Sequence, residues 1–246
     1  MTSKAITPQQ WLAKNPLRPG EHLYAVISST STAQPLAAWR KYEPQPAEPL
    51  WANTPYADWL PVMPWLLSLT GKEDFLHWAA RTDAQDWGWL AISSAPPELI
   101  AEHLRGLTQV FTAPGDAVFF RFWDGRYFLT VLQQLGVTTP YVLPVFDRYW
   151  VNGQPVVVGQ GANRPAQAFP WWQVPEDLQC ALADQDPSSA IENLLHTLKQ
   201  TDPLLYASTA ENLLRQKVES YLAITSSALH VDYAHFIAHL QQEIGQ

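Results

Sequence analysis

The sequence has few charges, and most of those it has are negative. Charged residues make up 15% of the 246 residues, well below the share of about 25% in an ordinary soluble domain. Fifteen basic residues stand against twenty-three acidic ones, giving a net charge of −8, and no cluster of Lys and Arg occurs. Phosphate binding needs a concentrated positive field, so we expect no nucleic-acid partner.

Cysteine and long apolar runs are also scarce. Cys180 is the only cysteine and cannot form an internal disulfide, which indicates a reducing compartment. No apolar run approaches the ~18 residues of a membrane span, and the N-terminal residues lack the apolar core of a signal peptide. We therefore expect a cytoplasmic protein without membrane insertion.

Apolar, aromatic and proline residues are plentiful instead. Hydrophobic residues make up 47% of the chain, with 12 tryptophans and 21 prolines. A surface with so few charges must expose other groups, aromatic rings among them, and this indicates an adhesive face.

Short strand and helix patterns alternate over the first part of the chain. This order predicts an α/β (α+β) fold in which helices flank a mixed β-sheet. Later segments have helical spacing only and predict a small C-terminal helical lobe. The predicted organisation is an α/β lobe at 1–158, a connecting segment at 159–180 and the helical lobe at 181–246.

The central stretch, 117–132, organises the rest. Its first half is β-branched and aromatic, which predicts a strand over 117–123 buried on both faces, with Arg121 inside it. Asp124-Gly125 then allows a hairpin with a second strand, or a helix capped by Asp124 that buries Phe128, Val131 and Leu132 and ends at Gly136. The spacing favours the helix.

Arg121, Asp124 and Arg126 form the most specific charged group. In a structural interpretation, Asp124 caps backbone N–H groups while a buried Arg121 pairs with a carboxylate, because an unpaired buried charge is costly. In a functional interpretation, Arg126 or Trp123 contacts a partner.

Catalytic, cofactor and metal motifs are not recognisable, so we expect no enzyme and no cofactor. His235 and His239 have the i, i+4 spacing of zinc ligands, with His230 upstream, but an amphipathic helix with half-exposed histidines explains them as well. Cys180 is expected to be a buried structural residue. A hydrolase with a site near Ser93, Ser94 and Asp124 is the alternative.

Trp171-Trp172 lies in the irregular connection. These rings either dock the helical lobe onto the sheet or form a hot spot for a partner.

Several motifs occur in an order typical of one family. Leu23-Tyr24-Ala25-Val26-Ile27, Pro64-Trp65-Leu66, Trp87-Gly88-Trp89-Leu90 and Phe120-Arg121-Phe122-Trp123-Asp124-Gly125-Arg126 resemble, over about residues 22–152, the type VI secretion effector chaperones known as Tap or Tec adaptors. That family carries a Phe-Arg-Phe-Tyr-Asp-Pro-Arg-like signature, in which Trp123 here replaces the tyrosine and Gly125 the proline. Following the family, we predict a helix from Arg126 to Leu135.

The resemblance implies a non-enzymatic adaptor. It would hold one cognate toxic effector in the cytoplasm and load it onto the VgrG spike or its PAAR-tipped extension, with the groove between the two lobes as the expected partner surface. An immunity protein that binds a toxin is a further alternative.

Overall fold

The chain divides into two compact units, Met1–Val174 and Pro175–Gln246. The structure, a computed structural model, describes residues 5–42, 47–113, 115–159, 164–186, 188–207, 209–224 and 233–244. The boundary between the units falls inside the segment predicted to be a connection.

The first unit combines strands with short helices. Its strands are β1 (His22–Ile27), β2 (Glu48–Pro49), β3 (Trp65–Ser68), β4 (Gly88–Ser93), β5 (Gln109–Phe111), β6 (Ala117–Phe119), β7 (Arg148–Val151) and β8 (Gln154–Val157). Its helices are α1 (Pro8–Lys14), α2 (Pro35–Tyr42), α3 (Glu73–Ala79), α4 (Pro97–Arg105), α5 (Gly125–Leu135) and α6 (Thr139–Val142). The predicted α+β class is confirmed.

Six strands form the main sheet in the order β2-β3-β1-β4-β7-β8, and each neighbouring pair is antiparallel. Strand β1 lies inside the sheet, with Ala25 opposite Leu67 on β3 and Leu90 on β4. Five of its six residues are buried, which is the pattern of a strand covered on both faces.

Alternate residues of these strands face two apolar layers. On one face, Leu23, Ala25 and Ile27 join a core cluster that includes five buried aromatic residues: Trp11, Trp39, Phe75, Trp87 and Trp150. On the other face, Trp89 stacks on Phe128 of α5 with ring centroids 4.4 Å apart. Helices therefore cover the sheet on both sides.

The Asp124-Gly125 turn starts a helix, so the predicted helix is confirmed and the hairpin is wrong. Asp124 accepts a hydrogen bond from the backbone N–H of Arg126 and caps α5. Gly125 lies directly against the backbone of β4, because a Cβ at this position would be 2.5 Å from the carbonyl oxygen of Gly88. Only glycine allows this approach without a shift of the backbone.

The predicted strand over 117–123 is wrong beyond Phe119, and its predicted burial is wrong for the part that forms. Strand β6 ends there, and all three of its residues are exposed. It pairs with β5 in a separate two-stranded ribbon. The chain then leaves the ladder, as the N–H of Phe122 donates to the carbonyl of Phe120 at 2.9 Å. Phe120, Phe122 and Trp123 are buried, with Phe122 fully enclosed.

Asn152-Gly153, a residue pair typical of type I′ turns, forms a tight hairpin. These two residues have φ values of 50° and 80°, as a type I′ turn requires, and they join β7 to β8.

Helices make up the second unit: α7 (Glu176–Gln185), α8 (Ser188–Thr201), α9 (Pro203–Ala207), α10 (Glu211–Ile224) and α11 (Tyr233–Ile244). Three of these helices, α8, α10 and α11, lie where the sequence has helical spacing. They share a core that includes Leu198, Leu214, Val218 and Phe236, all fully buried. Among the residues that the structure describes, no helix is long and apolar enough to cross a membrane.

Candidate partner-binding surface

Asp124 is the centre of a charged cluster at the start of α5. Its residue is only 2% exposed, and both carboxylate oxygens accept hydrogen bonds. Oδ1 accepts from the backbone N–H of Arg126 at 3.0 Å and from its Nε at 3.1 Å, while Oδ2 accepts from Arg126 at 2.8 Å and from Arg121 at 2.9 Å. The helix cap and the ion pairs thus use one carboxylate.

The two guanidinium groups remain accessible to solvent. The Arg121 and Arg126 side chains are 46% and 41% exposed, and both lie near the ring of Tyr127, at 4.5 and 5.7 Å from its centroid. The hydrogen bonds to Asp124 raise the pKa of Arg126, and the charge of Asp86 adds to this effect. Arg121, Asp124 and Arg126 together carry a net charge of +1, with the negative charge of Asp86 acting on Arg126 in addition.

The sequence therefore identified the charged group but not its exposure. The carboxylate that pairs with Arg121 is Asp124 itself, and the prediction that Arg121 is buried is wrong. Because Arg121 follows the end of β6, its side chain is not enclosed between two layers. Trp123, in contrast, is 7% exposed and packs edge-on against Trp51 at 5.2 Å, so its ring is largely covered.

An exposed apolar group surrounds Trp51. Trp51 itself is 2% exposed and contacts the rings of Tyr56, Trp59 and Phe119 at centroid distances of 5.9, 6.4 and 6.0 Å. Of the outer residues, Trp59 is 46%, Leu60 56% and Phe119 38% exposed. We call Tyr56, Trp59, Leu60 and Phe119 the aromatic surface.

Stacking keeps the aromatic surface in place. The rings of Trp59 and Phe119 stack at 5.5 Å, and Tyr56 contacts Phe119 at 4.9 Å. The sequence analysis did not identify this group, because its members are irregularly spaced and lie in separate segments of the chain. Three aromatic residues in nine positions, from Trp51 to Trp59, were the available signal.

Leu60 also borders a groove beside the aromatic surface. A groove of about 630 Å³ is lined by Leu60 and Pro61 on one side and by Leu36 and Arg40 of α2 on the other. The Arg40 guanidinium lies 5.6 Å from the ring of Trp65. The apolar area thus continues past the aromatic surface toward a cationic side chain.

Trp171 and Trp172 occupy different environments. Trp172 is 9% exposed, packs edge-on against Phe120 at 5.4 Å, and its carbonyl accepts the N–H of Phe111 at 2.8 Å. Trp171 is half-buried. Trp172 therefore anchors its segment to the β5–β6 ribbon, and the docking of the helical lobe by this pair stays a prediction.

The other chemical candidates are engaged in ordinary contacts. His235 Nδ1 is 2.9 Å from the hydroxyl of Tyr221, and the ring of His239 lies 5.2 Å from the Tyr221 ring. No group of three potential metal ligands occurs within the described ranges, and His230 lies outside them. Cys180 is half-buried on α7, not buried as expected. Ser93 is buried and donates its hydroxyl hydrogen bond to the carbonyl of Val145.

One comparison with known proteins gives a match. Residues 23–139 match a family model described as a domain of unknown function, DUF4123. This span contains the aromatic surface and the Arg121–Asp124–Arg126 cluster. No curated protein and no solved structure matches the chain.

Proposed function

We propose that this protein is a type VI secretion adaptor that binds a cognate toxic effector in the cytoplasm and promotes its loading onto the VgrG spike. The matched family is known generally as effector adaptors of the Tec/Tap type. The motif order of the sequence, which lies within the matched residues, supports the same proposal.

The aromatic surface is the observation that carries the proposal. Trp59 and Phe119 remain 46% and 38% exposed although their rings stack on each other. Tryptophan and other aromatic residues supply most of the binding energy at many protein interfaces, and an adjoining exposed leucine extends the apolar area. Such a surface suits the reversible covering of another protein's apolar segment.

Co-expression tests this proposal. We expect the effector encoded beside this gene to co-purify with the protein at a fixed ratio and to be more soluble than when it is expressed alone. VgrG added to the purified pair should form a ternary complex. Absence of any complex and of any gain in solubility would refute the adaptor function.

A toxicity assay separates the adaptor from an immunity protein. An adaptor changes delivery of the effector, whereas an immunity protein protects cells that already contain the active toxin. We expect no protection when both are expressed in the compartment where the toxin acts. Full protection would favour the immunity protein.

A further inference from the structure

The geometry points to β6 as the place where an extended segment of the effector adds as a further strand. In this arrangement an apolar side chain of the effector packs on Phe119, and a carboxylate of the effector pairs with Arg121. This inference rests on the proposed function and specifies how the effector is held.

The open side of β6 follows from the hydrogen bonds of the ribbon. Phe120 N donates to Thr108 O at 3.1 Å, and Thr112 N donates to Asp116 O at 2.9 Å. Paired residues of an antiparallel ladder alternate between bonded and non-bonded pairs. Val118, two positions from each bonded residue, therefore points its N–H and C=O toward β5.

Ala117 and Phe119 consequently point their backbone groups to the other side. Strand β6 is the outer strand of its ribbon, because β5 has Gln173 as its neighbour on the opposite edge. In the part of the chain that the structure describes, no strand pairs with this outer side of β6. Ala117 and Phe119 thus offer two donors and two acceptors to an added strand.

The edges of the main sheet differ from this edge. Each of its end strands carries a proline, Pro49 on β2 and Pro155 on β8, and proline blocks the addition of another strand. Strand β6 has the sequence Ala-Val-Phe, without proline or charge, and all three residues are exposed. An unprotected apolar edge of this kind indicates an interaction site.

Charges at the two ends of β6 specify the occupant. Arg121 follows the strand with a side chain that is 46% exposed, and its cluster carries one net positive charge in a chain of net charge −8. Exposed Asp116 precedes the strand and would repel a second carboxylate. The complementary segment is apolar in the middle and carries an acidic residue only at the end that meets Arg121.

The test uses the purified complex of the full chain with the co-expressed effector. Ala117→Pro removes one outward N–H, and an edge strand tolerates proline at such a position. Ala117→Ser keeps that N–H and serves as the matched control. We expect Ala117→Pro to weaken binding about fivefold to tenfold, the effect of one hydrogen bond, and Ala117→Ser to leave it unchanged.

Two side-chain variants test the same site without altering the strand. Phe119→Ser should weaken binding about tenfold or more, as for a hot-spot residue. Val157→Ser changes a valine that is 68% exposed on the edge strand β8, and it should have no effect. Binding should also weaken as NaCl rises from about 0.1 to 1 M, because the Debye length shortens from about 10 to 3 Å. Tryptophan fluorescence of each free variant checks its folding.

The outcomes separate the two proposals. A complex that forms normally with Ala117→Pro and Phe119→Ser would overturn the strand addition and leave the adaptor function intact. Absence of a complex with the unaltered chain would overturn both. If β6 instead pairs with a second copy, the free protein is a dimer that Ala117→Pro dissociates while effector binding persists, and the inference is then wrong about the occupant.

Discussion

Strands β4 and β6 are both apolar, yet the fold uses them in opposite ways. All six residues of β4 are buried, and all three residues of β6 are exposed. β4 has a neighbouring strand on each side and helices over both faces, whereas β6 has one neighbouring strand. Apolar sequence alone thus does not distinguish a fully enclosed strand from an exposed edge strand; its place in the sheet does.

Removal of a ring from β4 should have the largest effect on stability. Trp89 is fully buried, stacks on Phe128 and donates its indole N–H to the carbonyl of Phe122 at 2.7 Å. We expect Trp89→Ala to lower the free energy of unfolding by about 3–5 kcal/mol. Trp59→Ala, at an exposed site near β6, should cost about 1 kcal/mol.

Urea unfolding followed by tryptophan fluorescence measures both variants. All 12 tryptophans lie before residue 175, so their fluorescence reports on the first unit alone. Equal losses for the two variants would contradict the contrast between the strands.

Removal of the Asp124 charge from the cluster after β6 should have an intermediate effect on stability. Asp124→Asn keeps the size of the side chain and a capping oxygen but removes the charge that two guanidiniums share. We expect a loss of about 1–3 kcal/mol in the free energy of unfolding, reduced toward the lower value because both arginines are partly solvated. Asp58→Asn, at an exposed carboxylate, is the control and should change little.

A smaller loss of stability should appear as the pH falls. Burial lowers the pKa of His103 on α4, against the opposing influence of its hydrogen bond to the Arg164 backbone and of the Glu102 charge. The unfolded chain then binds a proton at His103 more readily than the folded chain does. The contribution of His103 to the free energy of unfolding is therefore fully present above the unfolded pKa near 6.5, and it is lost as the pH falls toward the folded pKa.

Urea unfolding at several pH values between 7.5 and 5.5 measures this dependence. We expect His103→Gln to have a shallower slope of unfolding free energy against pH than the unaltered chain. An unchanged slope in this variant would contradict the effect of burial.

The smallest effect is expected on β6 itself. Ala117→Ser changes an exposed residue and should alter the free energy of unfolding by no more than about 0.5 kcal/mol. The same substitution in β4, Ala91→Ser, places a hydroxyl at a fully buried position and should cost about 1–3 kcal/mol if it finds no partner. The same unfolding measurement compares the two, and a larger loss at Ala117 would reverse the contrast between the strands.

Local signals in the sequence were sufficient for much of the fold. The Asn152-Gly153 turn needs positive φ values that few other residue pairs provide, and the spacing of Phe128, Val131 and Leu132 favours a helix with a buried face. Each of these patterns lies within a few residues, where local sterics determine the structure.

The candidate site depends on contacts that no local pattern contains. Trp51 and Phe119 are far apart in the chain but their rings are 6.0 Å apart. The sequence around Arg121 predicts a buried strand because it does not show that β6 lacks a second neighbour. Asp124 was correctly identified as a cap, since capping is local, but its pairing with two exposed arginines was not.

Gly125 determines how far the charged cluster stands from the sheet. A Cβ here would be 2.5 Å from the Gly88 oxygen and 2.7 Å from the Gln85 oxygen, so two backbones touch where most helices and strands are separated by side chains. The proline of the resembled signature carries a Cβ, and a chain with it must hold the start of this helix farther from the strand. Arg121 and Arg126 would then lie at a different distance from the sheet. One buried residue therefore acts as a spacer that sets the position of the charged residues against the sheet.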